Sequence, residues 1–530
     1  MGSKDAEVMK EGIIMKTLMT LALAAAMMMG VATGANAIDF KAKGQWIMDF
    51  NYGMHGNFGD SKAAANSGYS RNGNHEDEFE ATQRVRLQLD AVASEALSGT
   101  VFFEIGDQVW GDNDNGGALG ADGKFVELKR AYIDWMVPQT DLKVRMGIQG
   151  IALPSFTTNA SQIMDDDVAA VSLNYQFNEN VGLTAFWARP YNDNAGYYKN
   201  GDFRNADGQL DNYMDNMDMF AVLLPLTFDG VKVTPWAMYA AMGPGMFDGK
   251  VVDGKWTMSS FGNAWGRAGA GMVSGFGGSD KWTNYGNAFW AGVTGEVTLW
   301  DPFRIAWDVN YGSAAYDDQK MNREGWLASL LLEYKLDWGT PGLYGWYSTG
   351  DDNNPRNGSE RMPVVSANGN NDFSNFAFNG NPYIAREGIL GSTMVGTWGI
   401  GARLKDVSFL EDLKHTLRVN FMGGTNAPKM AKYVRNDGED FQKRGTYSFA
   451  EYGLGYDPMY LTTEDYALEI GLTNTYKMYD NFTVMLDAAY VALWLDDSTS
   501  TWGKNPGRSA LGGDGVYDAW NVNLSFVYSF

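Results

Sequence analysis

The chain has 530 residues, no cysteine, three histidines (His55, His75, His415) and a formal net charge of −23. The missing cysteines exclude a disulfide framework, a thiol nucleophile and a thiolate metal site, and three histidines leave little for a zinc site or a His-based triad. The acidity argues against nucleic acid as a partner, because phosphate neutralisation needs a basic surface. Aromatics at 14% and 64 glycines indicate short strands and many turns, and no Pro/Ser-rich hinge divides the chain.

The N-terminus reads as a targeting segment. Residues 1–14 are an upstream start or cloning addition. Residues 15–37, MKTLMTLALAAAMMMGVATGANA, run from Lys16 through an apolar stretch, Leu18 to Val31, to Ala35-Asn36-Ala37. That is the order of a secretory signal peptide, with cleavage after Ala37. A membrane anchor is the other reading, but the apolar stretch is short and ends in small residues. The mature chain, 38–530, is then one domain. No later apolar run approaches the roughly 18 residues of a membrane helix. The exported product is therefore either soluble or a barrel that crosses an outer membrane by strands.

Period-two alternation dominates the mature chain. Residues 38–53 put Phe40, Trp46, Met48, Phe50 and Tyr52 on one face and Asp39, Lys41, Lys43, Gln45 and Asp49 on the other. Stretch 78–93 sets Val85, Leu87 and Leu89 against Arg84, Arg86, Gln88 and Asp90; 140–149 sets Leu142, Val144, Met146 and Ile148 against Lys143 and Arg145. The same holds for Ile305, Trp307 and Val309 against Arg304 and Asp308, and for Trp326, Leu330 and Leu332 against Glu333. In 397–405, Trp398 and Ile400 oppose Arg403 and Lys405; in 464–477, Leu468 and Ile470 oppose Glu469 and Thr473. Between 214 and 242 both faces are apolar (Val222, Leu224, Leu226 against Leu223 and Pro225), which means either a covered inner wall there or a wrong register.

The connections alternate short and long. Short ones fall at 94–98, 138–140, 178–180, 228–230, 300–302, 338–341, 408–412 and 478–481; the others are polar and Gly/Asp/Asn-rich, up to 243–285 and 351–393. The expected fold is an all-β, up-and-down antiparallel transmembrane barrel of about 18 strands (16 if one hairpin is lost), with short periplasmic turns and long outside loops. The last stretch, WNVNLSFVYSF, alternates up to the terminal Phe530 and reads as the strand that closes the barrel against the first, leaving no edge in lipid.

With its signal peptide, its alternating strands and its C-terminal Phe530 preceded by Phe526 and Tyr528, the mature chain resembles the bacterial outer-membrane porins. The start IDFKAKGQW and the aromatic, Gly-rich sequence look most like the homotrimeric porins of sulfate-reducing bacteria. The resemblance implies that Phe526, Tyr528 and Phe530 form the signal read by the barrel-assembly machinery. It implies a homotrimer in contact with outer-membrane lipid and lipopolysaccharide. It also implies a water-filled channel for passive diffusion of small hydrophilic solutes and ions. It makes 150–167 the constriction loop, with Asp165, Asp166 and Asp167 as its acidic side.

The basic side is read from strand phase. Arg84, Arg86, Arg130, Arg145, Arg304, Arg403 and Arg418 are lumen candidates, since an arginine facing lipid at the midplane costs about 2–4 kcal/mol. Arg130 fits less well, sharing its face with Leu128 and Tyr132. Two blander readings stand beside this one. The aspartates form a solvated turn, and the arginines merely fill the wall, paired with Asp134, Asp308 or Glu333. No cofactor is expected. The loop GDNDNGGALGAD resembles a calcium loop but places Gly116 at position five and Gly123 at position twelve of a register begun at Asp112, so it fails the EF-hand pattern. Loose divalent binding by acidic loops stays open. No hydrolase elbow, zincin helix or phosphate loop occurs, so no enzyme is expected. The alternatives to free diffusion are a substrate-selective, sugar-type channel and a structural barrel whose pore is covered by loops 243–285 and 351–393.

Overall fold

A computed structural model describes residues 38–54, 58, 77–113, 116–120, 126–192, 197–199, 202–204, 216–243, 250–252, 255–257, 286–315, 319, 322–354, 356–367, 371–378, 388–431, 459–511 and 515–530. The leader, with Ala35 and Ala37, and most of 243–285 lie outside these residues. Eighteen strands form one closed antiparallel barrel, each hydrogen-bonded to its neighbours in sequence. In chain order they are Asp39–Met54, Asp77–Ser94, Leu97–Val109, Val126–Met136, Leu142–Ala152, Met164–Gln176, Gly182–Asn192, Asn216–Leu223 continued by Leu226–Phe228, Val231–Met242, Gly286–Val297, Phe303–Ala315, Arg323–Tyr334, Thr340–Ser348, Thr397–Leu410, Leu413–Gly424, Tyr466–Tyr479, Phe482–Trp494 and Ala519–Ser529.

Closure is made by the last residues. The first and eighteenth strands pair from Gln45↔Ser529 to Met54↔Trp520. Beyond them, Gly44 and Phe530 exchange backbone hydrogen bonds at 3.0 and 3.1 Å. Trp46 packs on Tyr528 and Phe530, with ring centroids 5.9 and 5.1 Å apart. Residue 44 has to be glycine, because a Cβ there would sit 2.2 Å from the Arg86 carbonyl oxygen and 2.8 Å from the Phe530 ring.

The outer face is apolar and exposed over the whole circumference, as at Trp46, Phe220, Val222, Leu330, Leu343, Ile400, Ile470 and Trp494. A barrel offers such a face to lipid. The core is inside. Along the sixth to twelfth strands part of the inner face is itself apolar: Val168, Ala170, Phe186, Met217, Met219, Trp236, Met238, Ala288, Trp290 and Leu327 are buried. They cluster with Leu153 and Ile163 of one connecting segment and Met362, Val364 and Val365 of another. This accounts for the two-sided apolarity of 214–242. Val222 points out at 52% exposure, while Leu223 points in and is covered.

Candidate functional site

Among the described residues, two connections are anchored on inner-wall carboxylates. The segment 153–163, between the fifth and sixth strands, crosses to the eleventh and twelfth. There Asp308 accepts hydrogen bonds from Ser155 Oγ (2.8 Å), Phe156 N (2.9 Å), Thr157 N (3.0 Å) and Thr157 Oγ1. Thr157 Oγ1 also meets Ser329 Oγ at 2.7 Å, and Arg304 Nη2 donates to the Phe156 carbonyl at 2.8 Å. A carboxylate that collects successive backbone N–H groups is a strong anchor, since charge-assisted hydrogen bonds exceed neutral ones.

The second inward segment lies between the thirteenth and fourteenth strands. Its stretch 371–378 is held in the same way by Glu469, whose Oε1 takes the N–H groups of Asn375 (2.9 Å), Phe376 (2.6 Å) and Ala377 (3.0 Å) and the hydroxyl of Ser374 (3.1 Å). Phe373 stacks on inner-wall Tyr344 with centroids 4.1 Å apart. Asn375 donates to Thr473 and Asp487. The two segments also join each other. Val365 N and Ser366 N donate to the Ile163 carbonyl at 2.9 and 3.1 Å, and Met394 N donates to Gln162 Oε1 at 3.1 Å. Together they occupy part of the lumen.

Among the described residues, many wall charges are paired. Arg84 bonds Asp107; Arg86 bonds Glu104 at 2.6 Å; Arg145 and Lys143 hold Asp134 at 2.6 and 3.0 Å. On the other side runs one continuous chain: Lys232–Glu296 at 2.8 Å, Arg304 bridging Glu296 and Glu333 at 2.8 and 2.7 Å, then Arg403 bridging Glu333 and Asp372 at 2.7 and 2.6 Å. Asp372 also takes Lys405 and Arg418, at 3.0 and 2.8 Å. Asp372 belongs to the inward segment, not to a spanning strand. Burial alone would raise its pKa, but Arg403, Arg418 and Lys405 overturn that and hold it at about 2.

The residues expected at the constriction are arranged differently from the sequence reading. Asp165, Asp166 and Asp167 do not end a loop; they lie within the sixth strand, paired with Ala152, Ile151 and Gly150. Asp167 takes Arg130 Nε at 2.6 Å and Lys129 at 3.4 Å, and Asp166 takes Ser366 Oγ at 2.7 Å. The anchor of the crossing segment is Asp308, which the sequence offered only as a counter-ion for wall arginines. Arg130 does not share a face with Leu128. A β-bulge pairs Phe102 with Arg130 and Phe103 with Leu128, so Lys129 is an extra residue and the alternation resets there. Phase alone missed the inner aromatics Trp236, Trp290, Tyr344 and Trp346. Their signal was the glycines opposite them in register: Gly292 beside Trp236, Gly399 beside Trp346 and Gly401 beside Tyr344.

No family model matches the chain, and no curated protein does. Among solved structures it is similar to OpdQ of Pseudomonas aeruginosa (11% identity, covering 93% of this chain and 98% of that one, TM-score 0.46). It is also similar to OprD of Pseudomonas aeruginosa (11%, 92% and 95%, 0.47) and to OccAB4 of Acinetobacter baumannii (10%, 94% and 100%, 0.46). At that distance the likeness adds nothing to the barrel that the hydrogen bonding already defines.

Proposed function

We infer that the chain is a substrate-selective channel of a bacterial outer membrane, a porin that passes small hydrophilic solutes. The observation that carries this is the pair of segments seated in the lumen. They are tied to the wall through Asp308, Glu469 and Asp372 and to each other through Gln162 and Ile163. A barrel of this size otherwise leaves a wide aqueous channel. Narrowing it with fixed polar and charged groups supports selection over free diffusion, because pore width and lining decide what passes. The apolar exposed outer face supports a place in lipid. Export through the leader ending at Ala37, insertion by the barrel-assembly machinery through Phe526, Tyr528 and Phe530, contact with lipopolysaccharide and assembly as a homotrimer complete the reading. No catalytic step belongs to it.

The test is single-channel recording of the purified protein in planar bilayers. Small steps that saturate with, or are blocked by, a particular solute are expected. Large ohmic steps indifferent to solute would return the reading to general diffusion. A folded, heat-modifiable barrel that carries no current would overturn both. Cross-linking before denaturing electrophoresis checks the trimer.

A further inference from the structure

The lumen is not filled evenly. In the thirteenth to eighteenth strands, inner-wall side chains such as Tyr344, Arg403, Glu469 and Asn523 are buried. In the second to fifth strands their counterparts are only half-buried, as at Arg86, Phe102, Tyr132 and Arg145. Water, and any solute that follows it, reaches the wall along that strip.

Two arginines of the strip are bonded differently from the rest. Arg84 and Arg145 each grip one aspartate with Nε and Nη2, and Arg304, Arg403 and Arg418 spend Nη groups on carboxylates. Arg86 and Arg130 donate through Nε alone, to Glu104 and Asp167, both at 2.6 Å, and neither forms another hydrogen bond among the described residues. Lys129 Nζ stands between them, 3.6 Å from Glu104 and 3.4 Å from Asp167. The bulge at Lys129 is what brings two consecutive cations to the same carboxylate. Glycine at 150 gives Arg130 its room, since a Cβ there would lie 2.9 Å from Nη2 and 3.0 Å from Cζ.

The cations form the accessible layer of this group. The side chains of Arg86, Lys129 and Arg130 are 23%, 26% and 38% exposed, against 13% and 15% for Glu104 and Asp167. A guanidinium held by Nε keeps the edge made by its two Nη groups, and that planar pair of donors matches two oxygens of a carboxylate or phosphate. A cationic group is repelled there, and a neutral hydroxyl uses only one donor of the pair. With Asp165 two residues back along the sixth strand the local charges balance, so an anion is held by the free guanidinium ends and not by excess charge. Such binding is weak, as a channel needs in order to release what it admits.

We propose that Arg86, Lys129 and Arg130 form a subsite for an oxyanion group of a passing solute, a carboxylate or a phosphate. The inference rests on the reading that solutes enter the lumen, and it names the group they carry. The experiment is NMR titration of the folded full-length barrel in detergent with two probes, inorganic phosphate read by phosphorus-31 line broadening and acetate read by proton saturation transfer, with bilayer current recorded separately. A concentration-dependent response to at least one probe is expected; phosphate alone would assign the subsite to tetrahedral oxyanions, acetate alone to carboxylates. Arg130→Lys keeps the charge and loses the fork, and is expected to weaken binding about tenfold, the worth of one charged hydrogen bond. Gly150→Ala displaces the Arg130 guanidinium without changing any charge and is expected to weaken binding to a similar extent. Lys143→Gln removes a cation from the same strip and should leave binding within about twofold, since an exposed charge outside the subsite is screened. Each variant is first checked for heat-modifiable migration; if Arg130→Lys does not fold, Gly150→Ala decides. No response to either probe from the parent protein, a response that folded Arg130→Lys and Gly150→Ala leave unchanged, or an equal loss in Lys143→Gln would overturn the subsite. Current without a probe response sinks the subsite alone. A probe response without current sinks the channel alone.

Discussion

Replacing Asp308 with alanine is expected to release the segment 153–163 from the eleventh strand. The carboxylate holds two backbone N–H groups and two hydroxyls of Ser155–Thr157. A hydrogen bond to a charged group is worth about 1.5–3 kcal/mol, and water that enters the freed site returns part of it. Four such bonds at that discount give a net loss of about 3–6 kcal/mol. At about 1.4 kcal/mol per factor of ten, the ratio of docked to released segment falls on the order of a hundred- to ten-thousand-fold. The chain has no cysteine, so Ala160→Cys, at a site 5% exposed in the docked segment, gives a single reporter thiol. Its labelling by a charged maleimide should accelerate by about a hundredfold or more when Asp308→Ala is added, and unit conductance should rise. Asp308→Asn keeps one acceptor oxygen and should fall between. Labelling and conductance equal to the Asp308 parent would refute the view that this carboxylate anchors the segment.

Asp372→Ala leaves the Arg403 and Arg418 guanidiniums, both buried, short of a counter-charge. A cost of about 3–5 kcal/mol is expected, read as a lower midpoint in urea by gel heat-modifiability; an unchanged midpoint would contradict the pairing. The Asp372 pKa in the fold, about 2, lies below its ordinary 3.8. Its contribution, about 2 kcal/mol, is therefore complete above pH about 4 and lost as pH falls toward 2. Protease cleavage within 371–378 should be flat from pH 8 to about 4 and rise only below; a rise between pH 7 and 5 would rule Asp372 out as its cause. Gly44→Val drives a side chain into the Arg86 carbonyl and the Phe530 ring. The heat-modifiable band should be lost or form slowly during refolding, whereas normal closure would show that the seam tolerates the bulk.

The strands were legible because each outer face answers to lipid and each inner face to water, so alternation survives along most of the barrel. It failed where the inner face meets protein. Met217, Met219, Trp236 and Met238 are as apolar as Phe220 and Val222, and composition cannot tell a lipid-facing side chain from one packed under an inward segment. The bulge at Lys129 was invisible because one inserted residue merely shifts parity. Asp165, Asp166 and Asp167 read as a turn because three carboxylates in a row favour solvent; in the fold Lys129, Arg130 and Ser366 receive two of them within a strand. Nothing local marks Asp308 as an anchor, since its partners are about 150 residues away in sequence.

That separation also sets an order of events. Segment 153–163 is fixed by residues 153 and 232 positions further along, and 371–378 by one 112 positions on. Neither can be seated until the strands carrying its anchors are in place, because distant contacts reward a chain only after the intervening loop has closed. The eleventh to seventeenth strands therefore come first and the seating of both segments follows them, so the chain's early half waits on partners carried by its later half.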